Sequence, residues 1–329
     1  MKKMKILVMP NMKEVGNQIN EELQRKYNTK ESFLLKYEIN RFSNGEGKLV
    51  IKENLNDTTL YILSDVGNYE ENYLLHDQIH YMSPDEHFMD IKRGIAATSG
   101  NASKINVIMP LLYESRQHKR KGNESLDCAI ALQELQNMGV NKIITFDAHD
   151  PSICNAIPRL PFENYYPTKM ITDKIKEEEI EDILVVSPDM GAMERGKIYA
   201  EILNCDVGVC YKRRDLSKVI NGKNPIIEHL YLGPSVKGKD ILIVDDMIAS
   251  GSSMLEIAEK LKKEGANKIY FVATFSLFTE GINKFIDAYE KGLFTRLYST
   301  NLSYIPNKLK ETPWFYKVNC TECIAEVIK

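Results

Sequence analysis

Two adjacent carboxylates, Asp245 and Asp246, end an apolar run and precede a loop of small residues in the segment ILIVDDMIASGSSM. This order predicts a strand, a turn and a helix, whose free N–H groups and dipole favour a phosphate at the turn. Because carboxylates repel phosphate, the two acids are better explained as acceptors for the hydroxyl groups of a sugar. An ordinary turn with a capping serine is the alternative interpretation. The predicted site for a phosphorylated pentose comprises Asp245, Asp246, Ser250, Gly251, Ser252 and Ser253.

Two further predicted strands end at residues that could bind a metal ion. His149 lies in DAHD, which follows KIITF, and Asp189 lies in SPDMG, which follows ILVV. A histidine and an acid at strand ends suit a hydrated Mg²⁺, because this ion keeps several waters and takes few protein ligands. A surface histidine and a helix-capping aspartate are the alternative interpretation.

Two basic segments complete the set of residues with possible chemistry. ESRQHKRKGNES spans residues 114–125, and YKRRD spans residues 211–215 before a polar stretch that we expect to be a mobile loop. Exposed basic segments are commonly solvated surface. Two of them at the ends of predicted strands nevertheless indicate a polyphosphate ligand.

Alternating strands and helices must position these residues. Short runs rich in Ile, Val, Leu and Tyr alternate with amphipathic segments, which predicts an α/β fold of parallel sheets flanked by helices. Ligands of such sheets bind at the carboxyl ends of the strands, where the candidate residues fall. The predicted strands are KILVMP, LYILSDV, INVIMPLL, KIITFDA, DILVVSPDM, VGVCYK, DILIVDD and KIYFVATF.

The chain contains a similar unit twice. The first unit consists of INVIMPLLYESR, a helical stretch and a segment with GVNKI. The second consists of ILIVDDMIASGSS, a helical stretch and a segment with GANKI, in the same order. We therefore expect two related domains, 1–163 and 164–305, with a proline-rich boundary between Pro158 and Pro167. The C-terminal segment 306–329 is expected to form a strand and a helix that join the first domain.

Composition restricts the possible partners and the compartment. The formal net charge is −3 over 329 residues, which gives no global attraction to nucleic acid or to an anionic membrane. No apolar run approaches the roughly 20 residues of a membrane span, and MKKMKILVMPNMKEVG lacks the core of a signal peptide. The six cysteines are dispersed, as in proteins of a reducing compartment. We therefore expect a cytoplasmic protein without nucleic-acid or membrane partners.

Five short motifs, in order along the chain, resemble those of the ribose-phosphate pyrophosphokinase family. They are RFSNGE for F-S-D-G-E, SRQHKRK for A-R-Q-D-R-K, DAHD for D-L-H-A, SPDMG for S-P-D-x-G, and YKRR for D-K-R-R. ILIVDDMIASGSSM resembles the sugar-phosphate motif of phosphoribosyltransferases more broadly. The resemblance covers nearly the whole chain. It implies two related phosphoribosyltransferase-like domains, each a mainly parallel sheet flanked by helices.

The resemblance implies transfer of the β,γ-diphosphate of ATP to the C1 hydroxyl of ribose 5-phosphate, giving 5-phosphoribosyl 1-diphosphate and AMP for nucleotide biosynthesis. It implies that Phe42, Asn44 and Glu46 contact ATP from a neighbouring subunit of a homo-oligomer. By position, the resemblance further implies that Arg116 and Gln117 bind ATP and that His149 and Asp189 bind Mg²⁺. Lys212 and Arg214 would act on the transferring group. The residues implied to bind ribose 5-phosphate are Asp245, Asp246 and Ser250 to Ser253.

The chain departs from the family pattern at four places. Asn44, His118 and Ala249 stand where the family has aspartate. Residues 67–82 resemble an insertion, and the stretch 67–87 around it is expected to be a long loop on the nucleotide side. These departures leave the nucleotide preference and the control of the enzyme open.

Two alternatives to a diphosphokinase remain: a phosphoribosyltransferase that consumes the same sugar diphosphate, and a non-catalytic paralogue that regulates an active synthetase. RFSNGE, Arg116 and Gln117 argue against the first, because a transferase needs no pocket for the adenine of ATP. Four residues argue against the second, because a regulatory subunit needs no cations at a transferring group; they are His149, Asp189, Lys212 and Arg214.

Overall fold

The computed structural model describes residues 3–178, 180, 182–214 and 226–329, and the side chains of all of these except 212–214 and 226–229. The chain divides into two compact units. The first contains residues 1–166, 302–304 and 319–329, and the second contains residues 167–301 and 305–318.

The first unit is built around a five-stranded parallel sheet. Its strand order is β1-β4-β7-β8-β9, while β2 pairs with β3 and β5 pairs with β6 in two separate antiparallel hairpins. The central strands are almost wholly buried, which explains their continuous apolar sequences. The elements are β1 (Lys3–Val8), α1 (Lys13–Lys26), β2 (Tyr37–Arg41), β3 (Gly47–Ile51), β4 (Thr58–Leu63), β5 (Asn72–Leu75), β6 (Gln78–Tyr81), α2 (Pro84–Ala97), β7 (Lys104–Ile108), α3 (Asp127–Asn137), β8 (Lys142–Phe146) and β9 (Phe162–Tyr165).

The second unit contains a seven-stranded sheet of order β12-β11-β10-β13-β14-β15-β16, in which only β11 and β12 pair antiparallel among the described strands. Its core includes Phe294 and Trp314, whose ring centroids lie 5.3 Å apart. The elements are α4 (Thr168–Lys176), β10 (Ile183–Ser187), α5 (Met193–Leu203), β11 (Asp206–Arg214), β12 (Ile226–Leu232), β13 (Asp240–Ile248), α6 (Ser252–Lys263), β14 (Ile269–Ser276), α7 (Asn283–Glu290), β15 (Arg296–Thr300), α8 (Asn307–Lys310) and β16 (Phe315–Val318).

All eight sequence segments predicted to be strands form strands. None of the helices in the described part of the chain is both long and apolar enough to span a bilayer.

The repeated segments form matching strand–helix–strand units, β7–α3–β8 and β13–α6–β14. In each unit the two strands are parallel neighbours. Each helix is followed by a glycine with positive φ, Gly139 at 88° and Gly265 at 97°. The N–H of the next residue, Val140 or Ala266, donates to the carbonyl five residues earlier over 3.1 or 3.0 Å. This helix ending needs a left-handed residue, so G-x-N-K-I marks the same turn in both units.

Residues 67–87 do not form the long loop expected from their composition. They contain hairpin β5–β6, and α2 begins within the same stretch at Pro84. Ser83 and Glu86 form a capping box at the start of α2. The hairpin escaped prediction because it is largely exposed, so its strands lack the apolar alternation of a half-buried strand.

The C-terminal segment divides between the units. β16 pairs with β15 in the second unit, whereas α9 (Thr321–Val327) packs beside α1 in the first. Tyr61 Oη also donates to the carbonyl of Lys329 over 2.6 Å. The expectation that residues 306–329 join the first domain therefore holds only from residue 319, because strand pairing retains residues 306–318 in the second unit.

Candidate active site

The residues predicted to hold a sugar phosphate lie at the carboxyl end of β13, in the second unit. β13 continues through both acids to Ile248, and α6 begins at Ser252. Gly251 joins them in a left-handed conformation with φ of 67°. A Cβ atom there would lie 2.2 Å from Phe285 Cε2, so the turn needs glycine. The strand, tight turn and helix predicted from the sequence are all present.

The start of α6 is suited to an anion. Its first turn, residues 252–255, carries no acidic side chain that would repel an anion from the positive end of the dipole, and three lysines in the last turn complement the negative end. The N–H of Ser252 lies 3.4 Å from Ser250 Oγ. Lys284 Nζ donates to Ser252 Oγ over 3.1 Å and brings a cation that the sequence alone did not indicate. Backbone N–H groups, hydroxyl groups and a lysine can together bind a phosphate here.

Asp245 and Asp246 have different environments. Asp246 is buried, while the Asp245 side chain keeps 27% of its surface exposed. The N–H of Asp246 donates to Asp245 Oδ1 over 2.9 Å, and Arg195 Nη1 lies 4.0 Å from the same oxygen. Burial and the neighbouring charge of Asp246 raise the pKa of Asp245, although Arg195 acts in the opposite direction. Arg195 adds to this site a cation that sequence reasoning missed, because it lies in the first turn of a separate helix, α5.

Asp189 lies on the loop between β10 and α5. Its Oδ1 accepts hydrogen bonds from the N–H groups of Gly191 and Ala192, over 2.9 and 3.1 Å. The carboxylate therefore stabilises the turn before α5, whose N-cap is Ala192 and has no side-chain capping hydrogen bond. Its role as a metal ligand stays a prediction.

The residues predicted to contact adenine lie at the tip of hairpin β2–β3, in the first unit. The N–H of Phe42 donates to the carbonyl of Glu46 over 2.8 Å, and Gly45 has a φ of 90°. Asn44 Oδ1 accepts from the N–H of Glu46 over 3.1 Å, so the asparagine acts as an acceptor within the turn. The side chains of Phe42, Asn44 and Glu46 are exposed, that of Phe42 by 51%. An exposed aromatic ring beside polar groups can stack on a base.

Arg116 and Gln117 follow β7 and His149 follows β8, all in the first unit and all exposed. Because β7 and β8 are parallel neighbours, their carboxyl ends bring the two segments to one edge of the sheet. His118 Nε2 and Asp150 Oδ2 connect them over 3.2 Å. The structure thus brings the segment that carries Arg116 and Gln117, the predicted ATP-binding residues, to the same sheet edge as His149.

Among the residues that the structure describes, no three His, Cys, Asp or Glu side chains are grouped so that they could hold a metal ion together. His149 belongs to the first unit and Asp189 to the second. A hydrated Mg²⁺ held by one or two protein groups and by phosphate oxygens needs no such cluster.

Lys212 and Arg214, the predicted catalytic cations, have side chains outside the described residues. Their backbone forms the end of β11, which pairs with β12. The polar stretch expected to be a mobile loop, residues 216–225, also lies outside the described residues.

Two family models match the chain in series. Residues 4–139 match the N-terminal domain of ribose phosphate pyrophosphokinase, and residues 167–311 match the phosphoribosyl transferase domain. The chain belongs to the ribose-phosphate pyrophosphokinase family. The family predicted from five short motifs is therefore confirmed.

Members of this family resemble the chain over about three quarters of its length or nearly all of it. It is 26% identical over 326 residues to the ribose-phosphate pyrophosphokinase of Vibrio cholerae, which covers 98% of this chain and 96% of that protein. It is 28% identical over 248 residues to that of Burkholderia pseudomallei, covering 74% and 70%. The crystal structure of phosphoribosylpyrophosphate synthetase from Mycobacterium smegmatis is 21% identical, with a TM-score of 0.81 and coverage of 99% and 98%. The predicted fold class, two related phosphoribosyltransferase-like domains, is confirmed.

Proposed function

We propose that the chain is a ribose-phosphate diphosphokinase, which converts ATP and ribose 5-phosphate to 5-phosphoribosyl 1-diphosphate and AMP in the cytoplasm. The observation that carries this proposal is the match of a pyrophosphokinase N-terminal domain and a phosphoribosyltransferase domain in one chain. A transferase requires only the second of these domains. A diphosphokinase has to bind ATP as well as the sugar phosphate.

The second unit supplies the site for ribose 5-phosphate. The start of α6 and Lys284 balance the charge of the 5-phosphate, and Asp245 and Asp246 accept hydrogen bonds from the ribose hydroxyl groups. Binding the sugar at both ends orients its C1 hydroxyl oxygen, which attacks the β-phosphorus of ATP while the bond to the AMP oxygen breaks. Positioning of this kind is a main source of rate enhancement in phosphoryl transfer.

The nucleotide is assigned to the exposed residues of the first unit. Phe42 stacks on adenine, and Arg116 and Gln117 bind phosphate oxygens. Lys212 and Arg214 neutralise the charge that develops on the transferring diphosphate.

Mg²⁺ suits these residues, because His149 is exposed and Asp189 lies on a short, hydrogen-bonded turn at a strand end. These two side chains are the proposed protein ligands. When bound, the ion would neutralise phosphate charge and help to orient the diphosphate.

The proposal is tested by following AMP after mixing the purified protein with Mg-ATP and ribose 5-phosphate. We expect AMP to form only when the sugar phosphate is present. Asp245→Asn is expected to lower kcat/KM for ribose 5-phosphate about 100-fold, because hydrogen bonds to a charged acceptor are lost. Asp182→Asn, which removes an exposed ion pair with Lys239 at 3.1 Å, is the control and should keep wild-type activity. Absence of sugar-dependent AMP from the wild-type protein would contradict the proposal.

A further inference from the structure

A carboxylate joins two loops of the first unit that carry predicted site residues. Asp150 Oδ2 lies 3.2 Å from His118 Nε2 and 2.6 Å from Lys119 Nζ, both on the loop after β7. Asp150 Oδ1 accepts from the N–H and the hydroxyl of Ser152, over 2.9 and 2.5 Å, at the start of the short helix Pro151–Ala156. Asp150 Oδ2 therefore binds the loop after β7, and Asp150 Oδ1 binds the start of the short helix after β8.

His118 is held on both sides of its ring. Nδ1 lies 3.0 Å from the carbonyl of Ser115, and Nε2 faces Asp150, so an imidazolium can donate to both acceptors. The ring centroid of His118 lies 5.4 Å from that of His149. The ring thus fills the space between the loop after β7 and the turn after β8.

The contact of His118 with Asp150 is the sheltered part of this cluster. The exposed fractions of these side chains are 14% and 17%, against 65% for Lys119. Solvent weakens an exposed ion pair more than a sheltered one. We expect the pair of His118 with Asp150 to set the geometry and Lys119 to add charge balance.

Both members of this pair adjoin residues assigned to the nucleotide. Arg116 and Gln117 directly precede His118, and His149 directly precedes Asp150. A loop that is already ordered loses less conformational freedom when a ligand binds. The positive charge of Lys119 also balances the Asp150 carboxylate, which would otherwise repel a triphosphate beside His149.

We propose that His118 and Asp150 are positioning residues, which keep Arg116 and Gln117 in register with His149 for binding of the ATP triphosphate. This inference rests on the proposed function. It assigns neither residue a contact with the reacting atoms. Their removal should therefore weaken nucleotide binding selectively.

The test uses Asp150→Asn, His118→Ala and the double variant in the full-length protein. Each single change is expected to raise the KM for Mg-ATP about tenfold, because a sheltered charge-assisted hydrogen bond is lost, and to leave the KM for ribose 5-phosphate within about twofold. The dissociation constant of a non-hydrolysable ATP analogue should rise by the same factor. The double variant should exceed either single variant by no more than about twofold, since the two residues form one contact.

A matched control and a second readout separate this inference from the proposed function. Glu163→Gln removes another ion pair of the first unit, with Lys142 at 2.5 Å, and should leave both KM values unchanged. Without any substrate, trypsin should cleave after Arg120 or Lys121 faster in Asp150→Asn and His118→Ala than in wild type. If wild type forms no AMP while cleavage and analogue binding shift as expected, the proposed function fails and the positioning role of His118 and Asp150 stands.

Three outcomes would overturn the inference. They are equal losses for both substrates, additive effects in the double variant, and unchanged nucleotide binding in both single variants. If Asp150→Asn does not fold, His118→Ala decides the question, because it leaves the bonds between Asp150 and Ser152 in place.

Discussion

Asp65, two residues after β4, is a fully buried carboxyl group that anchors a distant part of the chain. Its oxygens accept hydrogen bonds from the N–H of Gly67 at 2.9 Å, from Ser303 Oγ at 2.9 and 3.0 Å, and from the N–H of Tyr304 at 2.7 Å. These bonds hold residues 302–304 in the first unit. Burial raises the pKa of Asp65 to about 6, against an ordinary value of 3.8. The group therefore binds a proton more readily in the folded protein than in the unfolded chain.

This difference predicts a pH dependence of stability. The contribution of protonated Asp65 is complete below pH 4 and is lost as pH rises through about 6. The free energy of unfolding of wild type, relative to Asp65→Asn, should fall by about 2 kcal/mol between pH 4 and pH 7. Urea denaturation, monitored by circular dichroism, measures the free energy of unfolding of both proteins at each pH. Parallel pH profiles for the two proteins would be inconsistent with the raised pKa.

At the scale of elements, hairpin β5–β6 is joined to α2 by one side chain. Glu86 accepts hydrogen bonds from Tyr73 Oη at 2.7 Å and from the N–H of Ser83 at 2.9 Å, and it contacts His80 Nε2 at 2.9 Å. Although burial opposes ionisation, these hydrogen bonds lower the pKa of Glu86 to about 2. The hairpin also reaches the 42–46 loop, since a Cβ atom on Gly45 would lie 3.3 Å from Tyr73 Oη. Hairpin β5–β6 thus contacts the loop that we assign to adenine.

Tyr73→Phe tests this attachment, because it removes the hydroxyl group and keeps the ring. We expect the free energy of unfolding to fall by about 1 kcal/mol, the usual net worth of one such hydrogen bond. Tyr81→Phe on the same hairpin is the control, because Tyr81 is more than half exposed and its change should stay within about 0.5 kcal/mol. Equal effects of the two substitutions, measured by chemical denaturation, would argue against the bond to Glu86.

At the scale of the whole molecule, the residues assigned to ATP and to ribose 5-phosphate fall in different units. Phe42 lies in the first unit and Asp245 in the second. The exposed tip of hairpin β2–β3 can serve a site on another chain as well as one on its own. We propose that the protein is a homo-oligomer in which this tip completes the ATP site of a neighbouring subunit.

Co-expression of Phe42→Ala and Asp245→Asn subunits tests the shared site. Each variant alone should be nearly inactive, since every site has one defective part. A random mixture in a symmetric assembly should regain roughly a quarter of wild-type activity, because that fraction of sites combines an intact tip with an intact sugar site. Activity of purified hybrid oligomers measures this. A mixture no more active than the separate variants would indicate that each site is built from one chain.

The sequence alone determined eight of the strands, the predicted sugar-phosphate turn and the family, because each of these depends on residues close together in the chain. Buried parallel strands need continuous apolar runs, and the turn at Gly251 needs a residue that tolerates positive φ. The repeat was visible for the same reason, since one local helix ending occurs twice.

Only the tertiary structure decided which distant residues meet. Asp65 and Ser303 are 238 positions apart, and His118 and Asp150 are 32 apart, so no local pattern relates them. Lys284 and Arg195 join the predicted sugar-phosphate site from separate helices, and the C-terminal segment divides between the units according to its strand and helix partners. Local propensity sets which elements form, whereas burial and charge pairing after folding set which side chains they bring together.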